Sequence, residues 1–246
     1  MKVSILVPTY DTPPALLLKA LMSVIDQKNV DWEIIIKDGS PRNPAIGSAE
    51  VANLIYHHKQ RIGYYCGWDG PKPEDSGYFK HNGFYEALNE CVRQSTGDIL
   101  CLMCADDERG DPDTLAHVVE QFPDKEPRFL YGACEWIGQY NEHIAFKQPP
   151  VVPVTFESLL RDYTLYTPSL FWSRSVHTKF GLFDHENYPW CADLDFWLRC
   201  WRGMESKFTP RVVGKYRVWG TSQARANEHL LGEESLKIQM LHRMTL

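Results

Sequence analysis

Apolar positions fall along the chain in short blocks whose spacing changes from one block to the next. Residues 3–7 form a β-branched apolar run closed by Pro8, the pattern of a strand buried on both faces that ends in a turn. Thr12, Pro13 and Pro14 supply a helix start, and Leu17, Leu18, Leu21, Met22, Val24 and Ile25 recur at helical spacing across residues 15–27. A second run at 32–36 completes a βαβ beginning. The alternation continues with a strand-like segment at 54–56, a helix at 83–95, a strong strand at 99–103, a helix at 112–121 and a strand at 128–133. A Pro-rich stretch at 148–153 reads as a hinge, followed by an apolar segment at 169–173, helices at 175–179 and 193–201, and a strand-like stretch at 212–218. The pattern predicts an α/β fold, Rossmann-like, with a mostly parallel central sheet flanked by helices. Residues 67–83, rich in Gly, Pro and charge, are long for a structureless connection and read as a functional loop at a sheet edge or cleft.

Composition narrows this picture. At 246 residues and 28.5 kDa the chain is long enough for one large α/β domain, and 43% hydrophobic with 24% charged residues is ordinary for a globular protein. A formal charge of -6 argues against nucleic acid as a partner, since such affinity rests on phosphate neutralisation. The average conceals a basic segment: residues 199–225 carry seven bases against one acid, as a phosphate-facing or anionic-membrane surface would, and equally as a solvated face would. No apolar run approaches the 18 or so residues of a membrane span, and Pro8 and Asp11 interrupt the start before any export-signal pattern develops. Seven cysteines at irregular spacing favour free thiols and a cytosolic address.

Candidate chemistry gathers at strand ends. Asp38 follows one apolar strand, and Asp106 with Asp107 follows another. In open α/β sheets ligands bind outside the carboxyl ends of strands, so acids placed there by different strands converge on one crevice, although strand-to-loop turns favour Asp on their own account. Adjacent Asp106 and Asp107 oppose each other's ionisation unless a cation intervenes, which points to Mg²⁺ or Mn²⁺; the alternative is an exposed acidic turn. Cys101 and Cys104 have CxxC spacing but no second pair, so a zinc site is disfavoured. No P-loop and no GxGxxG is present. In the helix at 193–201, Leu194, Trp197, Leu198 and Trp201 share a face, Asp195 and Arg199 form an i,i+4 pair, and Asp193 at the start is either an N-cap or a general base kept ionised by the helix terminus. The aromatic residues around it suit a pocket for a sugar ring or a plain core.

Taken in order, these pieces make the chain resemble the family 2 glycosyltransferases over residues 3–221. The similarity is carried by Val3-Ser4-Ile5-Leu6-Val7-Pro8-Thr9-Tyr10, by Trp32-Glu33-Ile34-Ile35-Ile36-Lys37-Asp38-Gly39-Ser40, by Cys104-Ala105-Asp106-Asp107 and by Ala192-Asp193-Leu194-Asp195-Phe196-Trp197. The family often has Asp at the position of Lys37, Glu at that of Ala192, and Asp or Asn at that of Cys104. The resemblance implies a GT-A fold over 1–246, with a nucleotide-binding half at 1–110, an acceptor-binding half at 111–225 and a helical tail at 226–246. It further implies an inverting transfer from a nucleoside-diphosphate sugar, a UDP-sugar by family preference, to a hydroxyl of a glycan or lipid-linked acceptor. Pro8, Thr9, Tyr10 and Asp38 would contact the nucleotide, Asp106 the ribose and Asp107 the metal, Mn²⁺ or Mg²⁺. Asp193 would be the catalytic base, with Trp190 and Asp195 on the acceptor or sugar side. Peripheral contact with the inner membrane face is a further expectation. A sugar nucleotidyltransferase and a non-catalytic nucleotide-sugar-binding homologue stand as alternatives, the latter motivated by Lys37 and Ala192.

Overall fold

A computed structural model describes residues 1–40, 45–66, 83–150, 152–162, 165–218 and 227–244. The first half runs β1 (Lys2–Thr9), α1 (Pro14–Ile25), β2 (Asp31–Asp38), α2 (Ala49–His57), β3 (Ile62–Cys66), α3 (Gly83–Gln94) and β4 (Ile99–Leu102). Then come β5 (Glu108–Arg109), α4 (Thr114–Glu120), β6 (Arg128–Ile137), β7 (His143–Lys147), α5 (Phe156–Arg161), β8 (Leu170–Ser173), α6 (Ser175–Phe180), α7 (Ala192–Trp201) and β9 (Glu205–Arg217). A C-terminal helix, α8 (Glu228–Met244), closes the described chain.

The strands form one sheet in the order β3-β2-β1-β4-β8-β6-β9-β5, with β7 paired to β6. Pairing is parallel from β3 through β4; β8 enters antiparallel between β4 and β6, and β6 lies parallel to β9. Period-two alternation divides the side chains of β1 between two cores. Val3, Ile5 and Val7 pack with Leu17, Leu21 and Val24 of α1 on one face, whereas Leu6 packs with Leu88 of α3 and the aromatic face of α7 on the other. Burial on both faces is why the strand reads as a continuous apolar run.

Two expectations change. Residues 54–56 lie inside α2, where Val51 and Ile55 bury one helical face, and the third parallel strand is Ile62–Cys66 instead. The strand-like stretch at 212–218 belongs to a strand that starts at Glu205 and tolerates Pro210 because the β6–β9 register shifts on either side of Ala133. Alternation did not reveal β7 or α5. The loop predicted at 67–83 lies, apart from Gly83, outside the described residues.

Candidate active site

Strands β1, β2 and β4 end on the same edge of the sheet, and their last residues bring the predicted nucleotide-binding positions together. Thr9 pairs in register with Asp38, and both are buried. Asp38 Oδ2 accepts from the Tyr64 hydroxyl at 2.6 Å and Oδ1 from the Ser40 amide at 2.9 Å, so β3 and the following turn fix the carboxylate. Burial, and then the Asp38 charge, push the Tyr64 phenol above its ordinary range. Pro8 is buried and Tyr10 half-buried, while the Asp11 amide donates to Ser40 Oγ at 2.8 Å, joining the loop after β1 to the loop after β2.

Asp106 and Asp107 occupy the turn between β4 and β5. Asp107 is 1% exposed; its Oδ1 accepts from the Arg217 amide at 2.9 Å, and Oδ2 has no hydrogen-bond partner among the described residues. Burial, and next the adjacent Asp106, drive this carboxyl well above the usual carboxylate range. Arg217, at the end of β9, is itself buried, and its guanidinium donates to the Asp106 carbonyl at 2.8 Å, to the Gly138 carbonyl at 2.7 Å, to Asn141 Oδ1 at 2.8 Å and to Glu108. The arginine therefore sets the shape of the turn and spends its donors elsewhere than on Asp107. Ligand atoms of Cys104, Asp106 and Asp107 all lie within 4.8 Å of one another. A buried carboxylate oxygen without a partner inside such a group fits a divalent cation that takes few protein ligands and the rest of its shell from phosphate and water.

Asp193 approaches from α7. Its proposed N-cap role does not hold: Cys191 occupies the cap position, and the Trp190 and Cys191 amides donate to Glu234 Oε2 of α8 at 2.8 and 2.6 Å. Asp193, in the first helical turn, accepts instead from the Tyr85 hydroxyl at 2.6 Å and from the Leu194 amide at 2.9 Å, and it lines a cavity with Leu102, Thr167, Leu170, Trp172 and Trp197. Burial and the charges of Asp107, Asp106 and Asp193 together raise the Cys104 thiol. Cys104 thus lies within electrostatic reach of both acidic elements. Trp190 is half-buried beside the base, its carbonyl 3.2 Å from the Tyr85 hydroxyl.

Asp195 turns away from this space. Two residues along a helix rotate a side chain by about 200°, and Asp195 is 5% exposed, its carboxylate engaged by Arg199 at 2.7 Å and by His242 of α8 at 3.0 Å. The basic segment is similarly committed: Arg199 bonds Asp195 and two carbonyls, Arg202 the His242 carbonyl, Arg211 pairs with Asp111, Lys215 with Glu135, and Arg217 lies under the acidic turn. Lys207 is exposed and Arg225 lies outside the described residues. The CxxC cysteines diverge as well, Cys101 receiving the Arg109 guanidinium at 3.1 Å inside the core. Tyr85, Tyr64, Arg217 and Glu234 were not anticipated as parts of the site; each acts across a distance in sequence at which no local spacing signals a partner.

No protein-family model matches the chain. Over 228 residues it is 25% identical to the PGL/p-HBAD biosynthesis glycosyltransferase of Mycobacterium tuberculosis, covering 88% of this chain and 77% of that protein. It is 26% identical to Protein CgeD of Bacillus subtilis, over 85% of this chain and 47% of the relative. Among solved structures it resembles S. aureus TarS 1-349 in complex with UDP at a TM-score of 0.67 and 14% identity, covering 98% of this chain and 65% of that one. It also resembles the mannosyltransferase PcManGT from Pyrobaculum calidifontis in complex with GDP-Man and Mn²⁺ at 0.59 and 16%, covering 98% and 73%. In architecture the chain is a mixed α/β protein of GT-A-like fold, and in sequence it is similar to proteins named as glycosyltransferases.

Proposed function

We propose that the chain is a metal-dependent, inverting glycosyltransferase that moves a sugar from a nucleoside-diphosphate sugar to an acceptor hydroxyl of a glycan or lipid-linked glycoconjugate. The observation that carries this reading is the Asp106–Asp107 turn at the C-terminal edge of the parallel strands, where a buried Asp107 oxygen has no hydrogen-bond partner among the described residues and the ligand atoms of Cys104, Asp106 and Asp107 lie within 4.8 Å of one another. The mycobacterial relatives' names support a glycosyltransferase, and the UDP, UDP-GlcNAc and GDP-Man complexes of the structural neighbours support the donor class, with a UDP-sugar the first choice.

In this reading Pro8, Thr9, Tyr10 and Asp38 receive the nucleoside, Asp106 the ribose, and Asp107 would hold Mn²⁺ or Mg²⁺. The bound cation supplies positive charge against the donor diphosphate. Asp193 accepts the proton of the acceptor hydroxyl while that oxygen attacks the anomeric carbon from the face opposite the nucleotide. The glycosidic bond to phosphate breaks through an oxocarbenium-like transition state, and one displacement inverts the centre. Residues 1–110 form the donor half and 111–225 the acceptor half of one domain in this reading, with 226–246 as a tail.

Two measurements test it. Incubating the protein with UDP-GlcNAc, other UDP-sugars and GDP-mannose in Mn²⁺ should release nucleoside diphosphate slowly; pyrophosphate formed from UTP and a sugar 1-phosphate would instead indicate a nucleotidyltransferase, and neither product a non-catalytic binding protein. Asp193→Asn should lower transfer by at least 10²-fold while leaving the donor's effect on thermal stability in place; a fully active variant removes the base assignment.

A further inference from the structure

Helix α3 makes more than core contacts with the segment that bears Asp193. Tyr85 and Asn89 stand one helical turn apart on the same face and are 6% and 1% exposed. Asn89 grips residue 183 at both backbone groups: its Oδ1 accepts from the Phe183 amide at 3.0 Å and its Nδ2 donates to the Phe183 carbonyl at 2.9 Å. Tyr85 holds the other end of the segment, its hydroxyl 2.6 Å from Asp193 Oδ1 and 3.2 Å from the Trp190 carbonyl. The tyrosine ring is wedged between Phe84 and Phe183, with centroids 5.1 and 6.1 Å away, so the hydroxyl has little freedom to turn elsewhere. A phenol donating to a carboxylate is a charge-assisted hydrogen bond of a short, strong kind, and it favours the ionised acid over the protonated one.

We infer that Tyr85 is a positioning residue for Asp193: its hydroxyl fixes the rotamer of the carboxylate in the cavity and keeps it ionised, and so able to take a proton, toward lower pH than the carboxylate could manage alone. The inference rests on the assignment of Asp193 as the base. Among the described residues, the titratable groups around Asp193 include Cys104 after β4, on which Asp106 and Asp107 also act, and Cys191 beside it, with Glu234 of α8 bonded to the start of its helix. Both thiols are raised by burial, and the Tyr85 phenol and the Leu194 amide both donate to Asp193 Oδ1, the phenol at the shorter distance of 2.6 Å. Because α3 also packs on β1 and β2, which end in the nucleotide-binding residues, the contact ties the base to the donor side of the crevice.

Tyr85→Phe keeps the ring and deletes one oxygen. In protein labelled at the aspartate carboxyl carbons, the Asp193 resonance is identified by its loss in Asp193→Asn and followed through a pH titration. Tyr85→Phe should move its midpoint upward by about one pH unit. The acid limb of Mn²⁺-dependent UDP-GlcNAc hydrolysis should move the same way, with the KM for the donor unchanged. Circular dichroism and thermal melting establish that the variant is folded; if it is not, Tyr85→Trp, which keeps an N–H donor on an aromatic ring, is titrated in its place and should keep the midpoint of the native chain. An unmoved titration beside an inactive Asp193→Asn overturns the role of Tyr85 alone. A moved titration beside a fully active Asp193→Asn overturns the base assignment alone.

Discussion

At the scale of single residues, the acidic turn is held in a state of electrostatic debt. Asp107 is buried with one oxygen unpartnered, and burial followed by Asp106 raises its folded-state protonation range well above the unfolded value. Such a group contributes its full stability below the unfolded value and loses it as pH rises through the folded one, so at neutral pH, above the unfolded value, the metal-free protein has given up part of that contribution. Asp107→Asn should therefore raise the melting temperature in EDTA by a few degrees, roughly 2–4 °C if about 1 kcal/mol is recovered. The same change should erase the stabilisation that Mn²⁺ gives the native sequence. A variant that melts lower in EDTA, or still responds to Mn²⁺, contradicts the role assigned to Asp107. The positions of Asp38, Asp106, Asp107 and Asp193 at or just beyond strand and helix ends were legible in the sequence, because apolar runs and helical spacing mark those ends. Tyr85 and Arg217 were not, because they act on Asp193 and Asp106 from 108 and 111 positions away.

At the scale of elements, the sheet is fastened at the edge opposite the site by one buried carboxylate. Glu33 of β2 accepts from Lys2 Nζ and Ser4 Oγ of β1, each at 2.6 Å, and from the Thr96 amide and hydroxyl at 2.5 and 2.9 Å in the turn before β4. Gly97 completes the turn, since a Cβ there would meet Ser4 Oγ at 2.5 Å and the Lys2 carbonyl at 2.8 Å. Burial opposes the charge on Glu33, but the bonds from Lys2, Ser4 and Thr96 together prevail and bring the carboxyl down to about 2. A depressed carboxylate stabilises the fold above its unfolded value and loses that contribution as pH falls through the folded one. Glu33→Gln should cost on the order of 3 kcal/mol at pH 7. The gap to the native chain should close between about pH 4.5 and pH 2. Denaturant titrations across that interval measure it, and a pH-independent gap would assign the loss to packing alone. Elements with an unbroken pattern were read correctly, among them β1, α1, β2, α3 and α7. Helix α2 was not, because a nine-residue helix with two buried side chains offers too short a period to separate it from a strand.

Across the whole molecule, the α/β alternation and the C-terminal edge of the parallel strands were readable from the sequence, since both follow from short apolar runs and the turns that end them. The antiparallel entry of β8 and the long parallel pairing of β6 with β9 were not, being set by contacts between residues as much as 80 positions apart. Charge gives the clearest case of sequence and structure parting. Seven bases within residues 199–225 form a basic cluster in one dimension, yet Arg199, Arg202, Arg211, Lys215 and Arg217 are bonded to carboxylates or carbonyls on different elements, and Arg217 is sealed under the acidic turn. A polybasic attraction to anionic lipid needs several cations presented together within a Debye length of the surface, each adding about 1 kcal/mol. Here the cations are spread over α7 and β9 on a chain of formal charge -6, and no described helix is long and apolar enough to cross a membrane. Vesicles with about one-third phosphatidylserine should therefore retain the protein at low salt no better than neutral vesicles do. Salt-sensitive retention by the anionic vesicles alone, lost on Lys207→Glu, would instead establish a basic docking face centred on the exposed lysine.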